Sequence, residues 1–180
     1  YLAMERLGAQ VMQLVAEALE LPDDFFVEHH THHLGALRGL NYPPLPSKLR
    51  DGQQRAGAHS DYGSVTILKP DPGVAGLEVQ QPSGEWIAAP MVRDGFIVNL
   101  GDLMSRWTND RWISTLHRVV EPDTGIRGET PRRQSIAYFM NPNYDAEISA
   151  IETCLRDGEA PKYEPVLAGR YLIDKFSAAN

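Results

Sequence analysis

RRQSIAYF, residues 132–139, is an apolar β-type run carrying Arg133 and Ser135, and in an extended strand residues two apart project from one face. A guanidinium fork and a hydroxyl side by side suit a carboxylate, gripped bidentately with a third hydrogen bond. An arginine turned inward from an apolar strand needs a counter-anion, because burial of an unpaired charge is prohibitive. Arg132, one residue out of register, is assigned to solvent. Working backward, TLHRVV (115–120) is a second β-type run and holds His117, while His59-Ser60-Asp61 puts an imidazole and a carboxylate two apart. Further β-type runs span 35–42, 63–68, 76–81, 86–88, 95–100 and 134–140. Turn signals separate them at Asp71-Pro72-Gly73, Pro82-Ser83-Gly84, Arg93-Asp94-Gly95 and Asp123-Thr124-Gly125. Short strands at such spacing predict a mainly β chain, an antiparallel sandwich or jelly roll.

Helices are expected at the two ends. Leu7, Val11, Leu14, Val15 and Leu19 recur at helical spacing within 2–21, and Pro22 stops the pattern. Residues 169–178 suit a closing helix. Trp86, Trp107 and Trp112 are expected to pack in sheet and loop, and Gly101-Asp102 to form a turn. The chain has 180 residues, 42% of them hydrophobic, enough for one substantial core. Its formal net charge of -7 and lack of a lysine- or arginine-rich run argue against nucleic acid and anionic membrane as partners and favour a small-molecule substrate. The single cysteine, Cys154, permits no internal disulfide or cysteine-rich zinc site, which suits the cytoplasm. No apolar stretch has the length of a membrane span.

Four of the six histidines fall in HHTHH, residues 29–33. Adjacent histidines point in divergent directions, so a polar helix end or surface turn is expected there rather than a metal tract. The other two, His59 and His117, can converge with Asp61 if their strands pair. Two histidines and a carboxylate on one side of an ion leave its opposite positions open, the set found in non-haem Fe(II) oxygenases. The same set also serves hydrolytic zinc.

His59-Ser60-Asp61, then His117-Arg118-Val119, then Arg133-Gln134-Ser135, with Asn41-Tyr42-Pro43-Pro44 upstream, resemble the catalytic core of the isopenicillin N synthase-like 2-oxoglutarate/Fe(II)-dependent dioxygenases. The similarity runs from about Leu37 to Met140, with further matches in GLEVQ, WIAAP and VNLGDLMSRWTND. The resemblance implies a double-stranded β-helix with flanking helices, Fe(II) on His59, Asp61 and His117, and 2-oxoglutarate held through its distal carboxylate by Arg133 and Ser135. Tyr42 matches a tyrosine that adds a hydrogen bond to the co-substrate; as a core aromatic it would instead pack on Pro43. Implied too is O2-dependent oxidation of a small molecule by hydroxylation, desaturation or cyclisation, releasing succinate and CO2. Residues 1–34 are then the tail of a longer N-terminal region and 35–180 the jelly-roll domain. Three rivals stay open at this point: an oxidase of the same fold that does without 2-oxoglutarate, a jelly-roll module that merely adsorbs metal, and a zinc hydrolase.

Overall fold

The first helix, α1 (Leu2–Ala18), stops short of Pro22. Glu20 takes a left-handed conformation with φ 59°, and the amides of Glu20 and Leu21 turn back to the carbonyls of Glu17 and Ala16, at 3.0 and 2.9 Å. This pair of bonds satisfies the last turn and ends the helix. The buried stripe is Gly8, Met12, Val15, Ala16 and Leu19. Leu14, expected on that stripe, is 64% exposed. The structure is a computed structural model describing residues 1–44, 53–71, 73–91, 93–121 and 131–178. Asp123-Thr124-Gly125 and Pro72 lie outside the described residues.

The strands are β1 (Ala36–Tyr42), β2 (Ala56–His59), β3 (Val65–Pro70), β4 (Leu77–Gln80), β5 (Trp86–Ala88), β6 (Ile97–Leu100), β7 (His117–Val119), β8 (Arg133–Met140), β9 (Glu147–Ile148) and β10 (Val166–Leu167). Two antiparallel four-stranded sheets, ordered β1-β8-β3-β6 and β2-β7-β4-β5, face one another, and β9 pairs with β10 in a separate ribbon. This is the mainly β jelly roll that the strand spacing predicts. Between β6 and β7 lies α2 (Asp102–Trp107), and the chain closes with α3 (Ala168–Ala178). Gly101-Asp102, expected as a turn, opens α2 instead. A Cβ on Gly101 would overlap the Gly63 backbone, so only glycine permits that approach.

Alternation divides the β1-β8-β3-β6 sheet between two environments. Val65, Ile67, Tyr138 and Met140 face outward and join Met12, Ala16 and Leu19 of α1, with Leu103, Met104 and Trp107 of α2, in the larger core. Thr66, Leu68, Arg133, Ser135, Ala137 and Phe139 face the other sheet. The core between the sheets is small, centred on Leu77, Ala89 and Val119. What it leaves is a cavity of about 190 Å³.

Candidate metal centre

β2 and β7 pair so that His59 stands directly opposite His117, with ring centroids 4.3 Å apart. Each Nδ1 lies against a backbone carbonyl, His59 at 2.8 Å from Gly57 and His117 at 3.2 Å from Thr115. A ring nitrogen bonds a carbonyl only as N–H, which leaves the lone pair of both rings on Nε2. Asp61 follows β2 in a loop whose backbone is tied down: its carbonyl accepts from the Asp102 amide at 2.8 Å and the Ser114 hydroxyl at 3.3 Å. Its carboxylate is buried, 3.8 Å from His117 Nε2 through Oδ1. One ligand atom from each of His59, Asp61 and His117 lies within 4.8 Å of the other two, the one such group of three among the described residues.

Asn99, on β6, donates from Nδ2 to Asp61 Oδ2 at 2.7 Å. One carboxylate oxygen is therefore engaged and the other is left toward His117, which favours single-oxygen coordination. Sequence reading missed Asn99. The available signal was slight: an amide two positions after Ile97, on the same face of an otherwise apolar strand.

Arg133 and Ser135 lie on β8, 1% and 4% exposed, and face the same cavity. Register sets Tyr42 opposite Arg133 and Leu40 opposite Ser135, and the Arg133 guanidinium sits 5.2 Å from the Tyr42 ring centroid. Burial pulls the Arg133 pKa below its ordinary value. Its Nε is buried and finds no hydrogen-bond partner among the described residues. A buried guanidinium with an orphaned N–H is the fit expected for a carboxylate not supplied by the chain. Arg132 turns outward, donating to Asn41 at 2.8 Å, so the register assigned from sequence holds. Arg55, also missed, lies on the other cationic approach to Tyr42, 5.6 Å from the ring, and donates to the Pro131 carbonyl at 3.0 Å. It joins the ends of β1 and β8.

The His29–His33 tract forms a short 3-10 helix and a turn, yet most of its rings face inward rather than to solvent. His30 bonds the Phe26 carbonyl at 2.8 Å and Ser64 Oγ at 3.1 Å, and burial lowers its pKa to about 4. His33 meets Glu5 of α1 at 2.8 Å, and His29 packs edge-on against Trp107, centroids 5.3 Å apart. His32 is exposed. His29, His30 and His33 tie the tract to α2, to the loop before β3 and to α1, and none belongs to a metal group among the described residues. The tryptophans pack: Trp107 is buried, Trp112 lies against the larger core, and Trp86 carries the Arg118 guanidinium 4.2 Å above it.

Two imidazoles and one carboxylate, grouped at one side of the cavity, would suit a divalent ion. Residues 23–142 match the 2OG-Fe(II) oxygenase superfamily. A homoarginine-6-hydroxylase of Oryza sativa subsp. japonica is 36% identical over 97% of the chain and 53% of its own length. A proline hydroxylase of Petromyces alliaceus is 36% identical over 93% of the chain and 54% of its own. A full-length Neurospora crassa protein, solved as a crystal structure in complex with alpha-KG and thymine, superposes with a TM-score of 0.91 at 37% identity, over 98% of this chain and 54% of that one. The chain spans about half the length of the curated relatives it matches.

Proposed function

Because the chain belongs to the 2OG-Fe(II) oxygenase superfamily, we propose that its protein is a 2-oxoglutarate-dependent oxygenase acting on a small molecule, with iron on His59, Asp61 and His117 and the co-substrate's distal carboxylate on Arg133 and Ser135. The observation that carries this is the meeting, in one cavity, of the three-ligand group with a buried arginine whose Nε has no hydrogen-bond partner among the described residues. When bound, iron and 2-oxoglutarate supply the oxidising chemistry, in which O2 is consumed, succinate and CO2 are released, and the substrate is hydroxylated, desaturated or cyclised.

The chain's own residues bind, orient and exclude. His59 and His117 offer Nε2 because the Gly57 and Thr115 carbonyls hold Nδ1–H. Asp61 offers one oxygen because Asn99 holds the other. Arg133 provides charge and a planar fork, Ser135 a hydroxyl, and Tyr42 a ring against which the guanidinium is fixed. Leu68, Leu77, Val79, Ile97 and Val119 make much of the remaining wall apolar and limit water. No side chain is assigned as a general base. A small molecule suits a cavity of about 190 Å³, and the acidic chain suits neither a nucleic-acid polymer nor an anionic membrane. That argument does not extend to nucleobases, since the similar Neurospora crassa protein was solved with thymine. A cytoplasmic location, from the lone Cys154, belongs to the same proposal.

Anaerobic addition of Fe(II) and then 2-oxoglutarate tests it: a weak visible charge-transfer band is expected, followed in air by succinate release. Arg133→Lys keeps the charge and loses the fork, so the 2-oxoglutarate Kd read from the band should rise by about 10- to 150-fold, the range of one charge-assisted hydrogen bond. Arg132→Ala should match wild type. An unchanged Kd in Arg133→Ala overturns the cradle assignment, and O2 uptake without succinate identifies the co-substrate-independent oxidase instead.

A further inference from the structure

His59 and His117 are aimed by the β2–β7 register, but Asp61 belongs to no strand: β2 ends at His59 and β3 starts at Val65. Its backbone is held by α2 instead. Both donors to the Asp61 carbonyl depend on that helix, Asp102 through its own amide and Ser114 through Ser105 Oγ, which accepts from the Ser114 amide at 2.6 Å. The carbonyls of Tyr62 and Gly63 accept from the Leu103 amide at 3.2 Å each, and that of Ser64 accepts from Gly101 at 2.9 Å. Leu103, Met104 and Trp107 bury one side of α2 in the larger core, and its first turn is pinned from α3. Lys175 Nζ lies 2.7 Å from Asp102 Oδ2, and Tyr171 OH donates to the same oxygen at 3.4 Å. The Asp102 side chain is only 13% exposed, which sets this contact apart from the solvated surface pairs that contribute little. The same ammonium stands 5.3 Å from the ring centroid of Tyr62, the residue after Asp61, and Phe176 meets that ring edge-on with centroids 5.4 Å apart. α3 therefore grips the ligand loop twice, on the Tyr62 ring and, through Asp102, beside the amide that holds the Asp61 carbonyl.

Resting on the metal-centre reading above, we propose that Lys175 is a positioning residue for that centre: it touches no ligand, and it sets the aim of the Asp61 carboxylate by fixing Asp102 and Tyr62. Asn99 decides which oxygen Asp61 offers; Lys175 decides where the loop presents it. Without the ammonium, Asp102 loses a charge-assisted partner and the Tyr62 ring loses one of its two flanks on α3. The first turn of α2 and the loop bonded to it are then free to shift, while the two imidazoles stay where the sheet holds them. A site of this kind tolerates only about 0.5 Å of such drift.

The test is anaerobic Co(II) titration of the whole protein, reading the dissociation constant and the visible ligand-field spectrum. Lys175→Met keeps the aliphatic stem and removes the charge; it should raise the Co(II) Kd about tenfold, the low end of what outer partners of metal ligands contribute, and alter the band shape. Lys175→Arg, which can restore the contact with Asp102, should return both close to wild type. Arg170→Met removes the Arg170–Asp174 pair from the same helix and should match wild type. A merely structural role would lower the denaturation midpoint and leave the spectrum of the folded protein alone. A wild-type Kd and spectrum in Lys175→Met therefore overturn the assignment, as does an equal loss in Arg170→Met or no recovery in Lys175→Arg. Should Lys175→Met not fold, Lys175→Gln, polar at this partly exposed position, takes its place with the same expected and overturning results. The metal-centre reading is tested separately on the same samples: a Co(II) spectrum insensitive to His117→Ala refutes that reading and this inference with it, whereas a His117-dependent spectrum unmoved by Lys175→Met refutes the inference alone.

Discussion

Two groups of histidines divide this chain. The dense one, His29 to His33, packs four rings into five residues and uses three of them as stitches: to Ser64, to Glu5, to Trp107. The sparse pair, His59 and His117, is separated in sequence by the four strands β3 to β6 and is brought face to face by the β2–β7 register. Metal-ligand geometry therefore follows strand pairing and not local abundance. Side chains on consecutive residues diverge, whereas two strands place two rings at one point and let a third group arrive from the loop between.

The sharpest way to break that contrast is to remove one ligand from the sparse pair. His117→Ala should abolish turnover and weaken Fe(II) binding by orders of magnitude, while His32→Ala with His33→Ala in one protein should leave iron stoichiometry at the wild-type level; elemental analysis after dialysis reads both. Full iron in His117→Ala would end the assignment. A smaller effect is expected one bond further out. Asn99→Ala frees Asp61 Oδ2, and loss of such a supporting hydrogen bond commonly costs about 10- to 100-fold in metal affinity. Titration with Co(II), whose visible spectrum reports coordination number, should show both the weaker binding and a changed carboxylate mode, and Asn99→Asp should not restore either.

The smallest effect sharpens the other side of the comparison. His30 is held neutral, its pKa lowered from 6.5 to about 4 by burial. Between those values the unfolded chain takes up a proton that the folded one refuses, so stability is full above pH 6.5 and declines as pH falls toward 4. Chemical denaturation of wild type and His30→Gln at pH 7 and pH 5 should show the variant losing less on acidification. Equal losses would mean that His30 titrates freely.

Where period and chemistry coincide, the chain is legible from its letters. RRQSIAYF discloses strand and anion grip together, because alternation puts Arg133 and Ser135 on one face and the apolar residues Tyr138 and Met140 on the other. Trp86–Ala88 and the closing helix fall where the turn signals and apolar spacing put them. β2 escapes because Ala56-Gly57-Ala58-His59 contains no β-branched residue and is strand only by virtue of β7 beside it. α2 is six residues long, below what helical spacing can announce. β9 and β10 are two residues each. Asn99 was invisible for another reason: it is a lone polar residue, and its meaning depends on what a distant segment sets against it.

β8 lies between β1 and β3 in its sheet, though it is the last of the strands in that sheet to be synthesised. Until residues 133–140 leave the ribosome, β1 and β3 have no common neighbour, α1 has no Tyr138 or Met140 to rest on, and the anion grip does not exist. Pairings so far apart in sequence are costly to close, which makes this a late and slow step in folding. A nascent chain arrested between residues 121 and 132 would therefore already contain the four strands that set His59 opposite His117, but not the arginine of the anion grip.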